Sequence, residues 1–555
     1  MAQLQGVPVL ILREGTERAK GKDARQNNIM AVRALADAVR TSLGPRGMDK
    51  MLVDSLGDVT ITNDGATILN EIEVQHPAAK MLVQVAKAQD AETGDGTTTA
   101  VVLCGELLKY AQELVEKGVH PTVVISGYRK AVEKTGEILD AMAIPCTMED
   151  REKLLQVCRT SMGSKLISQS KDFLAPIAVD AILQVAEKTD KGVTADIDHV
   201  TVEKKQGGSI LDTLFVRGVI VDKEVVHSEM PTRITDAKIA LINAAMEIEK
   251  TEMDAEIRIS DPTQMKAFLD EETRMLKKIA ERIKAAGANV VFCQKGIDDK
   301  VQHYLAKEHI IGVRRIKKSD IEALARATGG RIVSSIDHLS KEDIGACGLV
   351  EERKIGEDKM VFVEKCKNPK SVAVLIRGGT ERVVDEAERG FHDAICVVRD
   401  AVEDGKIVPG GGAPEIEVAS KLREYATTLK GREQIAVNKF ADAMEVIPKA
   451  LAENAGHDPI DMLVALRAEH VAGKTSMGVD VFEGKTKDML KLGVLEPLRV
   501  KTHALRSATE AASLILRIDD VIAARRSAAP PGGGPGGPGG MGGMGGMGGM
   551  PPGMM

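Results

Sequence analysis

The spacing of apolar residues changes twice along this chain: it is helical at both ends and alternates between strand and helix in the middle. In the first clear helical run, Ile29, Val32, Ala36, Val39 and Leu43 recur at steps of three and four, and Gly44-Pro45 stops the run. Similar patterns cover Ala78 to Ala88, Thr97 to Lys117, Pro121 to Ala141, Ala413 to Leu429 and Ile435 to Ala455. Each such helix must bury one face, and the two ends supply faces for one another. The expected architecture is therefore α plus α/β multidomain: one helical body built from both ends, with a discontinuous α/β insertion between them.

Within the insertion, Val200 to Val202 and Leu214 to Val221 flank Gly207-Gly208 and predict a pair of strands. Strand-like runs at Ile239 to Ile242, Val290 to Cys293 and Ile310 to Ile316 then alternate with helical patterns at Thr263 to Ala286, Asp298 to Lys307 and Ser319 to Ala327. A further strand, Val372 to Ile376, leads through Gly378-Gly379 into a helix from Glu381 to about Val402. The segment from Glu247 to Arg282 is long and strongly charged, with Met265, Phe268, Leu269, Met275, Leu276 and Ile279 in a stripe. Two readings stay open for it: a helix packed on its own unit, or a projecting arm whose apolar tip includes Ile257 and Ile259.

A length of 555 residues suits three or four domains. The 75 basic and 82 acidic side chains leave a net charge of -7, so no chain-wide cationic field exists to hold nucleic acid or an anionic membrane. With Trp 0, Tyr 4 and Phe 8, the composition argues against aromatic platforms for stacking bases or sugars as well. The seven cysteines form no CxxC pair and no zinc-finger or disulfide spacing, and no stretch has the length of a membrane span. The expected location is the cytoplasm. Residues 530 to 555 contain only Gly, Pro and Met, a composition with too little branched or aromatic surface to offset the entropy of ordering.

Gly94-Asp95-Gly96-Thr97-Thr98-Thr99 stands directly before an apolar helical run. Glycines admit close backbone approach, a helix start presents free N–H groups to anions, and Asp95 is the type of ligand magnesium takes beside phosphate oxygens. The same residues also make an ordinary helix entry. Gly410-Gly411-Gly412 could approach a ribose or phosphate or serve as a chain reversal. Gly473-Lys474-Thr475 lacks the glycine of a Walker motif, since Ala468 stands five positions before it. Asp64 lies in a turn signal, Asp393 on a helix where solvent is its ordinary neighbour, and Lys165 either senses a phosphate or faces water.

Taken in order, Thr41-Ser42-Leu43-Gly44-Pro45-Arg46-Gly47-Met48-Asp49-Lys50-Met51, Thr62-Asn63-Asp64-Gly65-Ala66-Thr67, the Gly94 to Thr99 motif, Asp385-Glu386-Ala387-Glu388-Arg389 with His392-Asp393-Ala394, and Val408-Pro409-Gly410-Gly411-Gly412-Ala413 resemble the signatures of the group II chaperonins, in particular archaeal thermosome subunits. The resemblance covers nearly the whole chain. It implies an ATP-dependent chaperone that stacks with other subunits into a double ring and encloses unfolded polypeptides behind a built-in lid. It implies an equatorial ATP-binding domain at 1–147 and 405–526, an intermediate hinge at 148–217 and 371–404, and an apical domain at 218–370 with its protrusion at about 247–282. The residues 527–555 resemble tails that reach into the central cavity.

Carried over by that resemblance, Leu43, Gly44, Pro45, Gly96, Thr97, Thr98 and Thr99 border the nucleotide and Asp95 binds Mg2+. Gly411, Gly412, Gly478 and Glu496 line the base and ribose side, Glu496 standing where bacterial relatives place Asp. Asp64 and Asp393 match the pair that positions and activates the attacking water, and Lys165 matches a loop lysine that detects the terminal phosphate. A kinase or ligase would need a second small-molecule pocket with its own acid or base. A passive holdase would bind apolar surface without turnover.

Overall fold

The structure, a computed structural model, describes residues 16–524 apart from 191, 249–261 and 368. The Gly/Pro/Met tail and the expected arm tip at Ile257 and Ile259 lie outside the described residues.

The two chain ends do meet. Strands Thr16–Lys20 and Asp520–Ala524 pair antiparallel, and beside them the helices Gly21–Arg40, Thr97–Glu116, Pro121–Met142, Arg432–Met444 and Leu498–Arg517 share one apolar core. Tyr128 and Phe440, from opposite ends of the sequence, meet edge to face at 5.5 Å, and the Tyr128 hydroxyl donates to Leu107 O at 2.8 Å. The expected helix from Ile435 to Ala455 is two helices, Arg432–Met444 and Val446–Asn454. Pro448 has no N–H to offer the carbonyl of Met444, and its ring crowds that carbonyl. The break at Glu445 lets its buried carboxylate accept from Arg423 at 2.8 Å and from Arg467 at 2.7 Å.

The middle of the chain builds two further cores. A seven-stranded sheet runs in the order Ile311–Val313, Val290–Cys293, Arg233–Ile242, Gly345–Ile355, Asp358–Glu364, Val219–Val221, with Ile332–Val333 also on Arg233–Ile242. Its parallel half comes from the strand and helix alternation. Its antiparallel half centres on a hairpin that the apolar spacing did not reveal, because Glu351, Glu352, Arg353 and Lys354 interrupt the period-two pattern.

A three-stranded sheet, covered by helices Arg151–Gly163, Lys171–Val185 and Glu381–Asp404, links this unit to the helical body. Here the expected pairing is corrected: Val200–Gln206 and Leu214–Val216 are not partners. Val372–Gly378 lies between them, parallel to the first and antiparallel to the second. Val372 to Ile376 is apolar on both faces, and such a strand is buried centrally rather than at an edge. The run from Leu214 also divides, since at Gly218 even a Cβ would lie 2.0 Å from Val363 O, and Val219–Val221 joins the larger sheet.

The arm helix, Pro262–Ala286, settles both readings of its stripe in part. Leu276, Ala280 and Ile283 are buried against the large-sheet unit, whereas Met265, Phe268, Leu269 and Met275 are about half exposed.

Candidate functional site

A cavity of about 620 Å³, in the range of roughly 300–1,000 Å³ usual for small-molecule sites, opens between the helical body and the three-helix layer. Leu43, Gly44, Pro45, Asp95, Gly96, Thr99, Gly411, Gly412 and Glu496 all line it. Ile447, Leu451, Met489 and Leu492 supply apolar wall. Asn454 fixes the Leu43 turn by donating from Nδ2 to Arg40 O at 3.0 Å and to Leu43 O at 2.9 Å. Gly412 caps the helix Ala413–Thr428 at φ +79, where a Cβ would meet Pro448 at 2.9 Å, so only glycine suits the turn. Gly478 does not line the cavity. It backs the glycine turn: Val479 N–H donates to Gly411 O at 2.9 Å, and a Cβ on Gly478 would lie 2.9 Å from that carbonyl.

The remaining expected residues face a charged cluster beside the cavity. Asp64 caps the helix Gly65–Glu71, accepting at Oδ2 from Thr67 N–H at 2.8 Å and Thr67 Oγ1 at 2.9 Å. Its other oxygen accepts from Thr97 Oγ1 at 3.1 Å, and Thr98 packs on Gly65, so these two threonines serve the Asp64 side rather than the cavity. Lys165 does not face water. It is buried, with Nζ 2.6 Å from Asp393 Oδ2 and 4.0 Å from Asp64 Oδ1. Asp393 is likewise only 6% exposed, on the helix Glu381–Asp404. Asn63 Nδ2 donates to Ser164 O and ties the Asp64 turn to the Lys165 loop.

Asp95 joins cavity and cluster. Its Oδ1 accepts from Gly96 N–H at 2.6 Å and its Oδ2 from Ser161 Oγ at 2.7 Å. The preceding Gly94 sits so close to the Asp393 helix that a Cβ would be 2.4 Å from Cys396 Cβ. That absence of a side chain brings the two motifs together.

Burial pushes the Asp95 carboxyl above its ordinary value, Lys165 opposes this, and Asp393 reinforces it. Burial would raise Asp64 too, but Lys165, the Thr67 donors and Thr97 outweigh it and hold the carboxyl low. Burial alone would lower Lys165, yet Asp393, Asp64 and Asp95 hold it well above its ordinary value. The cluster is thus an ionised lysine among carboxylates that outnumber it. A donor set of carboxylate and hydroxyl oxygens with surplus negative charge fits a small hard cation.

Several contributors escaped the sequence reading. Lys501, buried in the helix Leu498–Arg517, bridges Glu415 at 2.9 Å and Glu496 at 2.8 Å. Gln89 donates from Nε2 to Asp95 O at 2.9 Å, and its Oε1 meets His503 Nδ1 at 2.6 Å. Both lie on helices where spacing marks only which face is buried. Ser161 stands four residues before Lys165, on the helix Arg151–Gly163, whose signal lies in the steps of three and four between Leu154, Val157, Cys158 and Met162.

The family model of the TCP-1/cpn60 chaperonins matches residues 35–526. A thermosome subunit of Methanopyrus kandleri is 59% identical over 94% of this chain and 95% of its own length. Thermosome subunit alpha of Archaeoglobus fulgidus is 58% identical over 95% of this chain and 96% of its own. Among solved structures, the open state monomer of a group II chaperonin from Methanococcoides burtonii is 44% identical and aligns with a TM-score of 0.59. It covers 77% of this chain and 100% of its own.

Proposed function

The chain belongs to the TCP-1/cpn60 chaperonin family, a group II, ATP-hydrolysing chaperone that encloses polypeptides in a double-ring cage, and on that premise we propose how its own residues divide the work. ATP occupies the cavity with its base and ribose toward Gly411, Gly412 and Glu496 and its phosphates at Gly96 and the start of the helix Thr97–Glu116. Asp95 holds Mg2+, which when bound neutralises phosphate charge in the transition state. What supports this placement is the free helix start, the surplus of carboxylate and the cavity lining.

The observation that carries the proposal is Lys165 held between Asp393 and Asp64 beside the Asp95 turn. Asp64 is kept ionised and already accepts three hydrogen bonds, so it orients. Asp393 has acceptor capacity left beyond its ion pair and takes the proton of the attacking water. Lys165 exchanges Asp393 for the terminal phosphate when substrate arrives, which frees that capacity. Phosphoryl transfer needs positioning and charge stabilisation more than covalent help, so two carboxylates and a cation suffice. Because Asp64 and Asp393 stand on elements with separate apolar cores, their approach reports the posture of the two bodies. Asp393→Ala should leave ATP affinity within a few-fold while turnover falls by about 10²–10⁴, the usual worth of a positioned base. Turnover at the normal rate in a steady-state ATPase assay would end the proposal.

The domain division is equatorial at 1–147 and 405–526, intermediate at 148–217 and 371–404, and apical at 218–370, supported by the separate cores of these regions. The half-exposed Met265, Phe268, Leu269 and Met275 on the arm helix support the lid role. Deleting residues 250–280 should preserve ATP hydrolysis and leave a captured substrate open to protease. Continued protection would contradict the lid. Exposed Met51, Val53 and Leu56 on the hairpin Lys50–Val53 and Val59–Thr62 offer apolar surface for neighbouring subunits. Cytoplasmic residence is supported by seven free cysteines. No described helix is long and apolar enough to cross a membrane.

A further inference from the structure

Among the described residues, one group outside the nucleotide site assembles metal-ligating side chains: His227, Glu229 and His303, whose ligand atoms lie within 4.8 Å of one another. We propose that these three residues form a binding site for a divalent transition-metal ion of the zinc class on the large-sheet unit. Two imidazoles and one carboxylate are a donor set that suits zinc, cobalt or nickel, whereas magnesium prefers oxygen ligands throughout.

The ligands stand on fixed supports. His227 and Glu229 share a turn closed by Met230 N–H donating to His227 O at 3.1 Å. Both sides of that turn are fastened to one residue: Val226 N–H donates to Gly312 O at 3.0 Å, and Gly312 N–H donates to Met230 Sδ at 3.2 Å. Met230 itself is buried. His303 comes from the helix Asp299–Lys307, held down by the buried Val301, Leu305 and Ala306. Ligands on anchored elements lose little freedom when an ion binds.

The two imidazole rings are 6.2 Å apart and tilted by 54° rather than stacked. His227 Nδ1 accepts the Glu229 N–H at 3.1 Å, which fixes the ring on the same turn as Glu229. Only three protein ligands are present and Glu229 and His303 are exposed, which points to micromolar rather than tighter binding. The helix bearing His303 also touches the arm helix, through Lys300 Nζ donating to Thr273 Oγ1 at 3.2 Å. The ion would brace the turn against the base of the arm.

The test titrates the full-length protein, free of nucleotide and magnesium, with cobalt(II) chloride followed by visible absorption and with zinc chloride followed by calorimetry. One more ion per chain is expected in the wild type than in His303→Ala, and Glu229→Gln should weaken that ion at least about tenfold. Both variants replace exposed side chains and should hydrolyse ATP at the normal rate. Ions held at Asp95 or at cysteines persist in every variant and cancel in the difference. Equal ion counts in wild type and His303→Ala, or no uptake at micromolar zinc, would overturn the site.

Discussion

Lys501 and Lys165 are two buried lysines, each held ionised between two carboxylates, and they differ in what their partners are built on. Lys501 bridges Glu415 and Glu496, all three from the C-terminal segment, where the strand bearing Glu496 pairs with Lys406–Pro409 just before the helix of Glu415. Lys165 bridges Asp64 and Asp393, which come from different ends of the chain and belong to helices with separate cores. The first arrangement is stapled by backbone pairing and cannot open without unfolding. The second can be taken apart by moving one body against the other. One lysine type thus gives rigidity on the cavity wall at Glu496 and a separable contact beside the Asp95 turn.

Removing each lysine should separate the two cases. In Lys501→Ala, the fully buried Glu415 loses its cation and cannot move away from the backbone-paired strands, while Glu496 keeps its place on the cavity wall, and breaking such a buried pair costs about 3–5 kcal/mol. Glu415 Oε2 already lacks a hydrogen-bond partner, which sharpens the loss. In Lys165→Ala, the bodies can part and water can reach Asp393, so about 1.5–3 kcal/mol is expected, that of a charged hydrogen bond. Denaturant melts of both variants measure this directly. Equal losses would break the comparison, because Asp393 would then be as firmly seated as Glu496.

The acid and alkaline limits follow the same logic. The Asp64 carboxyl lies below its ordinary 3.8, so its contribution is present above that value and fades as pH falls through the depressed folded value. Lys165 lies above its ordinary 10.5, so its contribution is present below that value and is lost as pH rises through the raised one. Between those limits neither of these two groups contributes slope.

The sequence carried the site's loops better than its buried ion pairs. Gly94, Gly96, Gly411 and Gly412 are legible because a turn that must admit positive φ or close approach leaves few residue choices, and the helices follow from steps of three and four. Gln89 and Lys501 gave no signal, since a polar residue on a helix face looks the same whether it meets water or a carboxylate 86 positions away. The central place of Val372–Gly378 was hidden for a related reason: period and turn signals describe neighbours in sequence, whereas this strand parts two segments about 170 and about 160 residues earlier. The antiparallel hairpin was masked by its own charges, which alternate with the core only after Arg353 pairs with Glu364 at 2.7 Å.

The smallest effect tests whether negative charge is really in surplus around the separable lysine. Asp90, in the last turn of the helix Pro77–Thr93, is pushed up to about 6 by burial first and then by Asp64 and Asp393, with His392 and Lys165 opposing. Its position at a helix C-terminus adds to the penalty on a negative charge. A raised acid binds its proton more readily in the folded chain, so folding gains stability as pH falls from about 6 toward the ordinary 3.8. Asp90→Asn removes that cost wherever Asp90 would be ionised. The variant should be more stable than wild type by on the order of 1 kcal/mol at pH 7.5, after allowing for solvent screening of a partly exposed group, and the gain should shrink toward zero near pH 4. Denaturant melts at the two pH values read the difference, and a loss of stability at pH 7.5 would mean that Asp90 is a needed partner of Lys165 or His392 rather than surplus charge.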